Sequence, residues 1–303
     1  MLLRAGRRPG RHSDVGNGDS GRIGDNSSGE DNEPRRRRRW RFPARAALVI
    51  ALAVGAIVAL TPGNGASGFA TRLEHAVQDL TPTSRTAQAF RGTAAVGALF
   101  TTSAGQLNQH FCTASVIDSP GGDLAITAAH CVSGPAGTVD FVPGYVNGAT
   151  PYGVWTVTKV YVDQAWKSSS DPDDDFAILR VSQPGSSVPV EDVTGAEHLS
   201  TGTPAGRKLV EVIGYPDSSG QPISCQNWLR EPMTNQLEFD CGNYTNGTSG
   251  GPFLTEVDQA SGQGMLVGVI GGYEQGGYLP QTSYSSVLGA NAAALYHSAV
   301  ADG

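Results

Sequence analysis

From residue 93 onward, short apolar runs are cut by turns. "AAVGALF", "HFCTASVI", "DLAITAAH", "TVDFVPGY", "VWTVTKVYV" and "DFAILRV" come in quick succession. Several alternate apolar and polar positions with period two, and Val, Ile, Thr, Tyr and Phe are frequent, as in strands lying on a sheet. A Pro/Ser/Gly-rich stretch at 182–195, "SQPGSSVPVEDVTG", interrupts the series and reads as a linker. Strand-like runs resume with "KLVEVIGY", "QLEFDC", "GPFLTEV" and "GMLVGVIGGY", and the Ala/Leu-rich "SSVLGANAAALYHSAV" predicts a C-terminal helix. The pattern predicts two all-β halves, residues 93–190 and 191–303. No repeat of 20–50 residues is present.

Upstream the pattern changes twice. The first 45 residues have almost no apolar periodicity and are predicted to be disordered. They end in a basic cluster, Arg35 to Arg39, followed by a charge-free apolar run from Ala46 to Leu60. Fifteen helical residues span about 22 Å, short of the roughly 30 Å of a bilayer's hydrocarbon. That length, and the small residues Gly63, Gly65, Ala66 and Gly68 behind it, suit a secretory signal. The long leader and the absence of charge between Arg45 and Arg72 suit a membrane anchor instead. Residues 46–66 are therefore either a signal peptide or an anchor, engaging the export machinery or the membrane. Both readings put the body outside the cell, because the arginines stay on the cytoplasmic side. Residues 67–92 are left as a pro-segment or spacer.

Charge separates the same regions. Residues 1–45 hold twelve Arg against six Asp/Glu, and residues 46–303 hold nine Lys/Arg against twenty-two Asp/Glu, which sums to the net charge of −7. An acidic body argues against a nucleic-acid partner. Four cysteines, Cys112, Cys131, Cys225 and Cys241, all follow the apolar run, and none has the close-pair spacing of a zinc site. In an exported chain an even count predicts two disulfides; of the three possible connectivities, local pairing gives Cys112–Cys131 and Cys225–Cys241. No metal or organic cofactor is expected.

The chemistry centres on "TNGTSGGPF", where Ser249 sits among glycines. A serine hydroxyl needs a neighbouring base to become a nucleophile. Of six histidines, His12 lies in the leader, His75 in the presumed spacer, and His110, His198 and His297 in polar or terminal contexts that read as surface. His130 ends the strand-like "ITAAHC", directly before Cys131. A carboxylate to orient it is offered by "DPDDDFAILRV": Asp171, Asp173 and Asp174 read as a solvated loop, whereas Asp175 abuts a strand and would be buried enough to need a partner. The order His130, Asp175, Ser249 separates this chain from other serine hydrolases. Gly247–Gly251 also fits a G-x-S-x-G elbow, but α/β-hydrolases place acid and histidine after the serine, and only 54 residues follow Ser249. The Asp-His-Ser order would need Asp118 or Asp123 and an α/β body that the pattern lacks.

In "TAAHC", "DFAIL" and "GTSGGP", taken in that order, the chain resembles the trypsin-like (chymotrypsin-fold) serine proteases over roughly residues 93–298. In style it is most similar to the bacterial secreted, glutamyl endopeptidase-like members. The resemblance implies two antiparallel six-stranded β-barrels, an active site between them and a helix packed outside. It implies a monomer acting on protein or peptide substrates. His130 would be the general base, Asp175 its orienting group and Ser249 the nucleophile, with an oxyanion hole from the N–H groups of Gly247 and Ser249. It also implies the Cys112–Cys131 bridge.

Three departures from the family matter. Thr248 stands before the nucleophile, where digestive members carry the Asp that captures a new N-terminus, so extra residues ahead of the mature start should be tolerated. Ile270 stands where glutamyl-specific members carry a histidine. Asn243 stands near the base of the specificity pocket, whose wall would be Gly271, Gly272 and Tyr273. The pocket is expected to be neutral. A catalytically inactive protease-fold protein that binds at the cell envelope is the alternative.

Overall fold

The computed structural model describes residues 85–103, 105–132, 137–230 and 234–303. The leader and the apolar run Ala46–Leu60 lie outside the described residues, and among those described no helix is long and apolar enough to cross a membrane.

Six strands of the first half, β2 (Val96–Ser103), β3 (Gln106–Ile117), β4 (Leu124–Thr127), β5 (Val139–Pro143), β6 (Trp155–Val162) and β7 (Ala177–Ser182), close into an antiparallel barrel in the order β2-β3-β4-β7-β6-β5. The period-two pattern explains how its strands are buried on both sides. Leu99, Phe141, Trp155, Val157 and Leu179 fill the barrel interior. Val96, Ala98, Phe100, Ile126 and Ile178, one step out of phase, pack outward with Ile213, Leu254 and Leu266 of the second half. Apolar residues on both faces turn the alternation into near-continuous runs such as "AILRV".

The second half contains a six-stranded sheet in the order β1-β10-β9-β12-β13-β8 and a separate pair, β11-β14. Its strands are β1 (Gln88–Ala89), β8 (His198–Leu199), β9 (Leu209–Gly214), β10 (Ile223–Trp228), β11 (Gln236–Asp240), β12 (Pro252–Thr255), β13 (Met265–Val269) and β14 (Thr282–Ser286). Val210, Val212, Leu237, Phe239, Phe253 and Val267 form its core. The ring expected here is not closed by backbone ladders. Between β13 and β14 the Val269 N–H donates to the Ser285 hydroxyl at 2.9 Å, so a side chain stands in for a strand carbonyl. The C-terminal helix, α3 (Ala290–Ala301), follows two shorter ones, α1 (Gln164–Ser169) and α2 (Val190–Thr194). It packs on the first barrel, where Arg180 donates to the Ala299 carbonyl and Tyr296 to that of Asp118.

Two segments do more than the sequence suggests. The stretch read as a linker contains α2, with Val190 and Thr194 buried. Upstream, the Ala87 N–H donates to the Gly242 carbonyl, Gly242 N–H donates to Arg85, and Gln88–Ala89 pair with β10, so residues 85–90 pack on the body.

At the seam between the halves lies Glu197. Its backbone pairs with Val116 and Asp118 of the first half, and its Oε2 accepts the Gly264 N–H of the second at 2.7 Å. The side chain is fully buried, Oε1 has no partner among the described residues, and burial pushes the carboxyl up to about 8.

Both disulfides are formed, Cys112–Cys131 and Cys225–Cys241. The first closes a 19-residue separation, for which chain entropy gives about 3 kcal/mol. Replacing both of its cysteines with serine is expected to lower the unfolding free energy by about that amount, read from the denaturant midpoint at unchanged slope.

Candidate active site

β4 and β7 are paired neighbours, with Thr127 opposite Ala177, and each delivers one side chain just beyond its end. After β4 the chain tightens into a 3-10 turn, Ala129–Val132, that presents His130 while Cys131 is bonded to Cys112 on β3. Before β7 a second 3-10 turn, Pro172–Asp174, leads into Asp175. Asp175 is wholly buried, which would be costly for a carboxylate without donors. It has three. The His130 backbone N–H donates to Oδ1 at 2.9 Å, and His130 Nδ1 and the Gly272 N–H each donate to Oδ2 at 2.8 Å. With Nδ1 committed as donor, His130 Nε2 carries the lone pair, and it has no hydrogen-bond partner among the described residues.

The neighbouring acids are not the solvated loop the sequence suggests. Asp171 caps the Asp173 N–H, Asp173 accepts from Asn235 and Gln236, and Asp174 is buried against Asn291. Burial raises the Asp174 carboxyl above its usual range. His110 also departs from its surface reading: it is buried, with Nε2 2.9 Å from the Pro216 carbonyl. His198 is exposed beside Asp118, and the His297 ring contacts Tyr296.

Ser249 sits on a tight loop leading into β12. Glycine is required on both sides of it. Gly247 has φ +91°, and a Cβ there would meet the Asp217 nitrogen at 2.4 Å; Gly250 has φ +80°, and a Cβ would meet the Thr113 carbonyl at 2.2 Å. Two carbonyls on this loop are held from behind. Asn246 O accepts the Asp217 N–H at 2.8 Å, and Thr248 O accepts the Gly251 N–H at 3.0 Å. In a trans peptide the N–H points opposite the carbonyl. The Gly247 and Ser249 N–H groups are thereby turned the other way, and neither donates to an acceptor among the described residues. Thr248 is buried, its hydroxyl donating to the Thr245 carbonyl at 2.7 Å. Ser249 and His130 make no direct hydrogen bond in this structure. Catalytic hydrogen bonds are often long or unmade in structures of free enzymes.

A cavity of about 390 Å³ opens beside Ser249. Ile270 lines it, but Asn243, Gly271, Gly272 and Tyr273 do not. Asn243 turns its amide toward the Ala87 carbonyl at 3.4 Å. Gly272 and Tyr273 spend their N–H groups on Asp175 and Gln236, so the chain curls away before returning to the cavity at Gln275–Tyr278. Tyr244, Thr245 and Ser283 complete much of the wall, with the Tyr244 hydroxyl bonded to Val212 O at 2.6 Å. Asp217 is the one carboxylate residue in the lining, and no Lys, Arg or His takes part.

One buried residue beside the loop has no counterpart in the sequence reading. Thr113, next to Cys112 on β3, donates its N–H to Ser249 O at 2.7 Å and its hydroxyl to Gly247 O at 3.0 Å. A threonine inside the apolar "HFCTASVI" is the one signal that could have drawn attention to it. Metal binding finds no support here. Cys112, His130 and Cys131 lie together, but the two sulfurs are bonded to each other, leaving a single ligand atom.

The trypsin family model matches residues 85–287, two thirds of the chain. The chain belongs to the trypsin family. Among solved structures, the protease Anisep from Arthrobacter nicotinovorans is 25% identical and superposes with a TM-score of 0.59, covering 71% of this chain and all of that one. A thermostable serine protease, AL20, from an extremophilic microorganism is 23% identical with a TM-score of 0.58, covering 70% of this chain and 99% of its own. A Glu endopeptidase is similar in fold, with 17% identity, a TM-score of 0.56, and coverage of 72% and 98%. No match was found among curated proteins by sequence. For a trypsin-family protein the strand content, the closed first barrel, the two disulfides and the C-terminal helix are as expected, and membership supports a proteolytic function at the family level.

Proposed function

We propose that this trypsin-family chain is an exported serine endopeptidase using His130, Asp175 and Ser249. The observation that carries the reading is the wholly buried Asp175 bonded to His130 Nδ1, which leaves Nε2 as an acceptor. In this mechanism Ser249 Oγ attacks the scissile carbonyl while His130 Nε2 takes the hydroxyl proton. Asp175 stabilises the imidazolium that forms. The N–H groups of Gly247 and Ser249 receive the oxyanion, and their fixed peptide planes mean little reorganisation is needed as charge develops. His130 then delivers the proton to the leaving amine, and water hydrolyses the acyl-enzyme by the same steps reversed. Export rests on the basic cluster and apolar run ahead of the body, and two disulfides agree with an extracellular setting.

The cavity lining bears on substrate choice. With Asp217 and no cationic group among its lining residues, an acidic side chain would find no partner there. A preference for glutamate is therefore not expected here.

The test has two parts. The folded, secreted protein is treated with a fluorophosphonate probe, which reacts only with an activated serine. Stoichiometric labelling that Ser249→Ala abolishes is the expected result; no labelling of folded wild-type protein would favour the inactive binding protein instead. Matched peptides carrying Glu, Gln or Lys next to the scissile bond then report charge preference. The Glu peptide should have the lowest kcat/KM, by roughly tenfold, the ratio that 1.4 kcal/mol produces.

A further inference from the structure

We infer that Thr113 is a positioning residue, setting the nucleophile loop relative to the base turn through its buried hydroxyl. This rests on the proposed protease reading and adds to it a residue outside the triad and the oxyanion donors. Thr113 lies on β3 in the first barrel, yet its contacts face the second half. Its N–H donates to Ser249 O at 2.7 Å. Its hydroxyl donates to Gly247 O at 3.0 Å and accepts the Tyr215 N–H at 2.9 Å. Its carbonyl accepts the Thr127 hydroxyl at 2.7 Å, and Thr127 ends the strand that leads to His130. One residue thus holds the serine's carbonyl, the carbonyl two residues before the serine, the start of the Tyr215–Asp217 segment and the strand of the base.

The hydroxyl has a specific part in this arrangement. Gly247 O belongs to the peptide plane between the two oxyanion donors, and Asp217 supports the plane before it. Tyr215 and Asp217 lie two residues apart, so the Thr113 hydroxyl fixes both the loop and the segment that braces it. Thr113 is completely buried, and no water can replace the hydroxyl without a change of packing. Valine in its place keeps the shape and the backbone contacts but leaves Gly247 O and Tyr215 N unpaired. Relaxation of those groups would tilt the Gly247 plane, and a displacement near 1 Å at a reacting centre can cost about 100-fold.

The experiment compares wild type, Thr113→Val and Thr113→Ser, each titrated with fluorophosphonate so that rates refer to active molecules. Thr113→Val is expected to lower kcat roughly 10- to 100-fold, less than the 10²–10³ of deleting an oxyanion donor outright, with KM within about threefold. The second-order rate of fluorophosphonate labelling should fall in parallel, because it passes through the same oxyanion. Thr113→Ser keeps the hydroxyl and should restore kcat to within about threefold of wild type. If Thr113→Val is folded, melts lower and retains wild-type kcat per titrated site, the hydroxyl is merely structural and the inference is overturned. If Thr113→Val does not fold, Thr113→Ser carries the test through its labelling rate: a rate far below wild type in folded protein overturns the inference, and a wild-type rate upholds it. Wild-type protein that fails to label would sink the protease reading itself, a result separate from all of these.

Discussion

Asp175→Asn is expected to lower kcat by about 10⁴ in protein that still folds. The reason lies in the three donors that converge on the carboxylate. Two of them, the His130 and Gly272 N–H groups, belong to the backbone and cannot reverse. The imidazole can. An amide at position 175 presents one acceptor oxygen and one NH2, so at least one donor must face another donor. If the amide oxygen stays with the His130 N–H and the NH2 takes the Oδ2 side, it donates to Nδ1, the ring carries its proton on Nε2, and on the proposed reading it can no longer take the serine's proton. Wrong-tautomer histidine, not unfolding, is then the cause of the loss. A melting temperature lowered by several degrees should accompany it, since one buried N–H is left opposed. The measurements are kcat on a peptide ester or amide, labelling rate and thermal melting. Asp173→Asn and Asp174→Asn should keep kcat near wild type. Full turnover in Asp175→Asn, with loss in either neighbour, would show that another carboxylate orients the base.

The second large effect concerns stability and pH. Glu197 is protonated in the folded protein up to about pH 8, whereas an unfolded glutamate ionises near 4.5. Between those values the native state binds one more proton than the unfolded state does. Stability contributed by the neutral form is therefore complete below the unfolded value and is lost as pH rises toward the folded one, at a slope of up to about 1.4 kcal/mol per pH unit. Glu197→Gln removes the titration while keeping a carbonyl oxygen for the Gly264 N–H. Against wild type the variant should gain stability as pH increases from 5 to 8, by about 2 kcal/mol or more at the upper end. The diagnostic is the slope, because the buried amide nitrogen does not titrate and shifts stability equally at every pH. Denaturant titrations at four or five pH values measure it. Parallel stability curves for the two proteins would mean that Glu197 does not titrate across this range.

The first barrel was legible because its strands carry their own period. "VWTVTKVYV" and "DFAILRV" became β6 and β7 almost residue for residue. The second half was harder. β14 is "TSYSS", a strand whose buried serines look like a turn in sequence, and β1 is two residues long and exists only because β10 offers an edge. His130, Asp175 and Ser249 stand out in the sequence by local context, by their order along the chain and by the resemblance of three segments to trypsin-like proteases. Position along the chain could not supply the cavity wall. The sequence expectation runs from Ile270 through Tyr273; in the cavity beside Ser249, Ile270 lines the wall, while the bonds of Gly272 to Asp175 and of Tyr273 to Gln236 carry the chain away before it returns at Gln275–Tyr278. Long-range hydrogen bonds of this kind leave no periodic trace. Thr113 leaves no such trace for the same reason, the partners of its hydroxyl lying more than a hundred residues away.

The bridge from Cys131 to Cys112 makes the turn that carries His130 conditional on its surroundings. On the proposed reading, a chain held in a reducing cytoplasm would have that turn unfastened, with a poorly aimed base. Oxidation after export would complete it. The Gly247 and Ser249 planes are already held by the bonds to Asp217 and Gly251, so on the same reading compartment would be the timer. On that reading the producing cell would be spared its own enzyme during synthesis.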